Sequence, residues 1–500
     1  MRHNTRIFAC LTLSILALTS CARHDAPQAD TGSTPQKKAP EEIAATLQEK
    51  LPVMMEAARI PGFGICLISD AEIAWCQGFG EAGYGQPVTT ETIFQAASLS
   101  KPVFAYAVLK LVDDEVLDLD RPLLSYVGAE TAREDYLGEG FDDPRAQEIT
   151  ARMVLTHTAG FPNWRRDELA FVFDPGARFG YSGEGFGLLQ KVVERITDQP
   201  VEELMTVSVF EPLAMTSSTY TLAHVDLDRY AWPHEPWGEM EPKPEDLEER
   251  IKKAEPHVAA TLSTTAPDYA RFLIALMTGD GLSENGHDDL LKPHSVVEDD
   301  GSVAWGLGTG LERAGHGVRV WHWGDNGNSK AFYLADPQTG DGFVYFSNSY
   351  NGLSLVGEIL EVAMPADHPV LLSSLLEDYP AFGSSTFLFA QAVFEEGADG
   401  GLRVVEELRE QGGAIPQEAQ VNGLGYWLHR KERLDEAIAL FELNVELYPD
   451  SWNVHDSLGE AQLAKGLREE AIANLNRSLE LNPDNDHARQ LLAEAGSPVD

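Results

Sequence analysis

Residues Phe94–Leu123 read FQAASLSKPVFAYAVLKLVDDEVLDLDRPL. Apolar side chains recur at helical spacing from Leu99 to about Asp114, which predicts an amphipathic helix. Pro102 suits its first turn, where backbone N–H groups have no intrahelical partner to lose. Ser98 falls where loop becomes helix, and Lys101 three residues later shares its helical face. A serine hydroxyl is a poor nucleophile until an adjacent base removes its proton. Lys101 can be that base only if burial or a neighbouring cation lowers its pKa. A helix N-terminus adds N–H donors and a dipole that favour a developing oxyanion. Ser-x-x-Lys is short and weak alone, but it occurs here once.

Outward from that segment, strand-like runs cluster at Gly62–Gly80 and again at Val318–Trp323, Ala331–Asp336 and Gly342–Asn348. Helix-like segments fill the interval. The simplest layout is an α/β domain over residues 41–366, with both chain ends paired in one sheet and helices on both faces. Trp232–His257 is rich in proline and charge and reads as a surface loop rimming a cleft. No Gly-x-Ser-x-Gly elbow, His-Glu-x-x-His, Cys-x-x-Cys or phosphate-loop pattern occurs, so neither a cofactor nor a metal is expected.

The chain carries 37 basic and 80 acidic side chains, net −43, with 43% hydrophobic residues. That composition suits a folded, multidomain protein and disfavours nucleic acid or an anionic lipid surface as partner. Arg2 and Arg6 precede an apolar run, Ile7–Thr19, too short to span a bilayer; residues 1–20 therefore read as a signal peptide. The closing Leu18-Thr19-Ser20-Cys21 resembles the bacterial lipobox. That resemblance implies lipidation of Cys21, a flexible tether over residues 21–40, and an exported protein anchored to the envelope, with Ala22 after the cysteine pointing to the outer membrane and the periplasm. Loss of the leader leaves 35 basic against 80 acidic side chains.

Cys66 and Cys76 lie in two strand-like runs separated by Asp70-Ala71. A hairpin there places them opposite each other, either as a cross-strand disulfide or as two reduced thiols. Near the C-terminus, Gly425, Ala437, Leu447 and Pro449 recur as Gly459, Ala471, Leu481 and Pro483, each at an offset of 34 residues. That is the tetratricopeptide period. Small residues let paired helices approach and the prolines end each second helix. Residues 421–496 are thus expected to be tetratricopeptide repeats, and 367–420 a helical connector in which Phe387–Gln411 is a diverged unit or a cap. Such a module binds a protein partner or serves as a brace.

The ordered series FQAASLSK, MVLTHTAGFP, PGARFGYSGEGFG, FEPLAMTSSTY, LSTTAPDYARF, WGLG and VWHWGDNG resembles the serine β-lactamase and penicillin-binding-protein superfamily, specifically its class C-related branch. The resemblance implies an antiparallel sheet with helices on both faces plus a helical subdomain. By it Ser98 is acylated, Lys101 is its base partner, and Tyr181 shares the proton traffic, aided by a cationic Lys101. His322-Trp323-Gly324 occupies the third motif on an edge strand, and the oxyanion sits between the N–H groups of Ser98 and Asp325. Gly183, Trp323 and Gly324 are implied to line the substrate site. Gly183 replaces an asparagine, and a weakly cationic His322 replaces lysine beside acidic Asp325, which would repel a substrate carboxylate unless Lys330 compensates. These departures tilt the expectation from β-lactams toward an ester or D-amino-acid peptide. His157 and Ser182 are expected to be structural hydrogen bonders, and one of Trp321 and Trp323 to face the core and the other the cleft. The competing expectation is a catalytically weak sensor or scaffold whose repeats bind envelope proteins.

Overall fold

The computed structural model describes residues 38–496 apart from 139, 167 and 316. The expected signal peptide, Cys21 and nearly all of the tether lie outside the described residues. No helix among those described is long and apolar enough to cross a membrane.

Among the described residues eleven strands form, in chain order: β1 Gly62–Ser69, β2 Glu72–Gly83, β3 Gln86–Pro87, β4 Phe94–Gln95, β5 Ser263–Thr264, β6 Ser295–Val296, β7 Val303–Trp305, β8 Gly310–Ala314, β9 Gly317–Asp325, β10 Lys330–Asp336 and β11 Asp341–Ser347. Nine of them make one antiparallel sheet in the order β3-β2-β1-β11-β10-β9-β8-β7-β6. Phe63 pairs with Ser347 and Ile68 with Gly342, so the two ends of the domain close on each other as the sequence suggested. Asp70 and Ala71 both take positive φ, the tight-hairpin conformation. Cys66 stands opposite Cys76, their Cα atoms 4.1 Å apart, and the two are disulfide-bonded.

Strand alternation sorts side chains to two cores. Phe63, Ile65, Trp321, Trp323, Phe332, Leu334, Phe343 and Tyr345 pack with α1 (Pro40–Ala58) on one face. Cys66, Val320, Ala331, Tyr333, Val344 and Phe346 meet α2 (Ser100–Asp113), α3 (Gly183–Thr197) and α4 (Ala266–Thr278) on the other. The helix after Ser98 is not amphipathic: every residue from Ser100 to Leu109 is buried. It runs through the core between sheet and helical subdomain, so it has no solvent face to keep polar. α5 (Val356–Ala363) completes the first face beside α1.

Beyond it lie α6 (Ser385–Glu396), α7 (Ala398–Glu410), α8 (Glu418–Arg430), α9 (Leu434–Leu447), α10 (Trp452–Lys465), α11 (Arg468–Leu481) and α12 (Asp486–Glu494). α9 and α11 stop just before Pro449 and Pro483. A Cβ on Gly425 would lie 2.5 Å from the Phe441 ring, and one on Gly459 2.7 Å from Leu475. The loop expected to rim the cleft lines it at Glu241 and also clamps these helices. Trp237 packs edge-on to Trp427 at 5.5 Å, and Lys431 binds Glu235 at 2.8 Å. A charged loop can bury a tryptophan ring only where a second apolar surface meets it.

Candidate active site

Ala97 adopts φ +49° immediately before Ser98. A left-handed alanine costs roughly 1–2 kcal/mol, so the surrounding fold must hold this turn. It does so through several hydrogen bonds. Tyr269 and Tyr220 donate to the carbonyls of Leu99 (2.9 Å) and Ser100 (2.6 Å), and Ser100 Oγ accepts from the Leu262 N–H at 3.0 Å. Ser98 is half-buried, while Ala96, Ala97, Leu99, Ser100 and Lys101 are buried around it. The hydroxyl is thereby the accessible polar group of a rigid turn.

Lys101 Nζ donates to Ser98 Oγ at 3.0 Å and to the Ala259 carbonyl at 2.8 Å. The rings of Tyr181, Phe186 and Trp164 stand 4.8, 5.8 and 6.0 Å from it. Among the described residues no carboxylate pairs with it, and burial brings the ammonium down from 10.5 to about 7. The condition set by the sequence for a lysine base is met by desolvation.

Tyr181 joins them, but not as a phenolate. Its hydroxyl is enclosed against Ser98 without a well-formed hydrogen bond among the described residues, and burial pushes it far above its ordinary range. Lys101 Nζ lies 4.8 Å from the ring centroid, and its hydrogen bonds go to Ser98 and Ala259, with none to the Tyr181 oxygen among the described residues. His157 is fully buried, packs at a tilt with its ring centroid 4.3 Å from that of Tyr181, and accepts the Ser182 N–H at Nδ1 (3.0 Å). Ser182 caps α3 by accepting from the Gly185 N–H at 3.1 Å. Both are hydrogen bonders that hold the Tyr181 turn.

The third-motif strand departs from expectation in three ways. β9 is interior to the sheet, but its register with β8 ends at Gly310 opposite Trp321, so residues 322–325 pair with β10 alone. Trp321 and Trp323 face the same core, because residues two apart in a strand share a side; Trp323 packs 4.8 Å from Tyr181 rather than lining an open cleft. His322 is fully buried on the opposite face; Nδ1 lies 2.6 Å from the Trp323 carbonyl, and burial plus the nearby Lys101 charge push it down to about 3. It is a neutral imidazole, not a weak cation.

Gly324 packs directly on the Ser98 turn, since a Cβ there would lie 2.5 Å from the Ala96 carbonyl and 3.3 Å from Ala97. Asp325 follows. Lys330 and the Gly327 N–H (2.8 Å) both donate to its Oδ1, and Tyr379 donates to Oδ2 at 2.8 Å. The compensation by Lys330 is therefore present. Gly183 has no room for the missing asparagine: a Cβ would fall 2.8 Å from the Trp164 ring and 2.9 Å from the Asn163 carbonyl.

Sequence reading missed Trp164, the Ala259 carbonyl and Tyr379. Trp164 follows the FPN segment and could have been noted as an aromatic beside a motif. A backbone carbonyl leaves no residue-type signal, and Tyr379 meets Asp325 across 54 residues of sequence. A cavity of about 1070 Å³ opens from Asp325 and Asn326 and extends past Tyr379 and Phe387 to Trp427 and Arg430 on α8.

A buried lysine against a serine, on a turn backed by an antiparallel sheet with helices on both faces, is the arrangement of a β-lactamase-type hydrolase fold. The chain belongs to the Beta-lactamase family, whose model matches residues 47–362. It is 26% identical to Esterase EstB of Burkholderia gladioli over 51% of this chain and 71% of that protein. It is also 26% identical to Penicillin-binding protein 4 of Amycolatopsis lactamdurans, over 64% of this chain and 91% of the other. Against the lovastatin esterase of Penicillium rubens, 29% identity spans only half of that protein. The fold resembles EstCE1, a hydrolase with promiscuous acyltransferase activity (TM-score 0.56, 19% identity, 65% and 99% of the two chains). It also resembles the octameric penicillin-binding protein homologue of Pyrococcus abyssi (TM-score 0.53, 21% identity, 71% and 84%).

Proposed function

We propose that this protein is a serine hydrolase acylated on Ser98, with an ester or a D-amino-acid amide as acyl donor in preference to a β-lactam. The observation that carries the reading is Lys101 Nζ, 3.0 Å from Ser98 Oγ and brought by burial to about 7. A neutral amine takes the Oγ proton as Oγ bonds to the acyl carbon. The displaced carbonyl electrons settle between the N–H groups of Ser98 and Asp325, and as the carbonyl re-forms the leaving oxygen or nitrogen departs with the proton that Lys101 took, passed directly or relayed through the Tyr181 hydroxyl, which gains one proton as it gives one. Water then attacks the acyl carbon, its proton passes to Lys101, and Ser98 regains its hydrogen. His322 is neutral and Lys330 is committed to Asp325, so the third motif offers no free cation to a β-lactam carboxylate. Relatives named as esterases support the choice.

A fluorophosphonate probe should label the wild type and not Ser98→Ala, and p-nitrophenyl butyrate should turn over far faster than nitrocefin. Rapid nitrocefin hydrolysis abolished by Ser98→Ala would overturn the substrate preference; no labelling at all would favour the scaffold reading.

The C-terminal helices support a tetratricopeptide reading for residues 421–496. The 34-residue offset that relates Gly425 to Gly459 also relates their contacts, Phe441 and Leu475. A protein partner is proposed for that module, to be sought by pull-down with the full chain. Export and lipidation at Cys21 are proposed from the leader, and a disulfide at Cys66–Cys76 suits that compartment. Mass spectrometry of Cys21 in membrane fractions tests it.

A further inference from the structure

The family match ends at residue 362, yet a side chain beyond it reaches the site. The strap at 367–384, between α5 and α6, is pinned to the domain where the Phe382 N–H donates to the Ser354 carbonyl at 2.9 Å. It sets the Tyr379 hydroxyl 2.8 Å from Asp325 Oδ2. Trp323, two residues before Asp325, backs the Tyr181 ring at 4.8 Å. The Tyr379 ring also walls in Lys330, whose Nζ lies 5.3 Å from it and 5.0 Å from the Tyr350 ring. Tyr379 thus holds the residue that follows Gly324, the glycine packed on the Ser98 turn.

We propose that Tyr379 is a positioning residue of the active site, holding the Asp325 carboxylate and so the backbone N–H of Asp325. This rests on the hydrolase reading above, in which that N–H is an oxyanion donor. A donor displaced by a fraction of an ångström loses much of its value, because oxyanion stabilisation depends on fixed geometry. Nothing in Tyr379 itself contacts the reacting atoms.

Tyr379→Phe keeps the ring and removes the hydroxyl. With p-nitrophenyl butyrate, kcat should fall about tenfold, a modest share of what a lost oxyanion donor costs, while KM stays within about twofold, as for an interaction expressed only in the transition state. Fluorophosphonate labelling of Ser98 should slow in parallel yet reach full stoichiometry. In an Asp325→Ala/Lys330→Met background, which removes the charge pair together, Tyr379→Phe should cause no further loss. Circular dichroism and the melting temperature confirm that each variant is folded. Unchanged kcat in Tyr379→Phe overturns the proposal, as does a full additive loss in the double background, which would mean that Tyr379 does not act through Asp325. Should the double background not fold, rescue decides: Tyr379→His, which restores a donor on a ring, must recover activity over Tyr379→Phe, and failure to do so overturns the proposal. Absence of labelling in the wild type overturns the hydrolase reading together with this one, whereas a labelled wild type with an indifferent Tyr379→Phe overturns this one alone.

Discussion

Lys101 Nζ stands 3.0 Å from Ser98 Oγ with its other hydrogen bond spent on a backbone carbonyl, Ala259, and not on a carboxylate. An acidic partner would hold the ammonium protonated and useless as a base at neutral pH. Aromatic rings around it do the opposite, because they exclude water while giving only a modest cation–π return.

Replacing Lys101 by arginine keeps a cation but removes the base, since guanidinium does not deprotonate in proteins. Fluorophosphonate labelling of Ser98 should slow by roughly 10²–10⁴-fold, the usual contribution of a general base. A labelling rate within threefold of wild type would show that Lys101 is not the base.

The lowered Lys101 pKa has two pH signatures. The neutral amine is the active form, so kcat/KM should rise as pH passes through about 7. Stability follows from linkage. The folded value is about 7 and the unfolded one 10.5, so between these the unfolded chain binds more protons and stability rises with pH. The slope approaches about 1.4 kcal/mol per pH unit, and it vanishes below and above that window. Urea unfolding of wild type and Lys101→Met across this range should show the wild type gaining on the variant as pH rises; parallel curves would refute it.

Gly183→Asn, which restores the residue usual in the resembled motif, should destabilise by about 1–3 kcal/mol through overpacking against Trp164 and the Asn163 carbonyl. Adding Trp164→Ala should recover part of that loss, measurable as a partial return of the melting temperature. An undiminished melting temperature in the single variant would mean that the indole moves freely aside.

The Asp325–Lys330 pair is asymmetric, with side chains 31% and 3% exposed. Asp325→Ala strands a buried ammonium and should cost roughly 3–5 kcal/mol. Lys330→Met leaves a carboxylate that water, Tyr379 and the Gly327 N–H still serve, and should cost less. Denaturant titrations of both variants decide the order, and the reverse order would contradict the burial assigned here.

Much of the site was legible in the sequence, and the reasons are local. Ser98 and Lys101 are three apart on a helix start, a distance set by helical pitch alone. Apolar runs of strand length marked β1, β9, β10 and β11, which are buried on both faces although their side chains point to alternate sides with a period of two. The same period should have put Trp321 and Trp323 on one face, as they are. The helix after Ser98 carried enough polar residues at its C-terminal end to look amphipathic, though its first ten residues are enclosed on every side.

By itself, then, the sequence determined which chemistry-bearing residues exist, their spacing, the pairing of the chain's two strand clusters and the 34-residue periodicity of its end. The tertiary structure alone decided their charge states and company. Lys101 is near neutrality, His322 uncharged, Trp164 seated over Gly183, and Asp325 held between Lys330 and Tyr379. Desolvation and hydrogen bonding are sums over atoms brought from distant segments, and no local pattern contains those atoms.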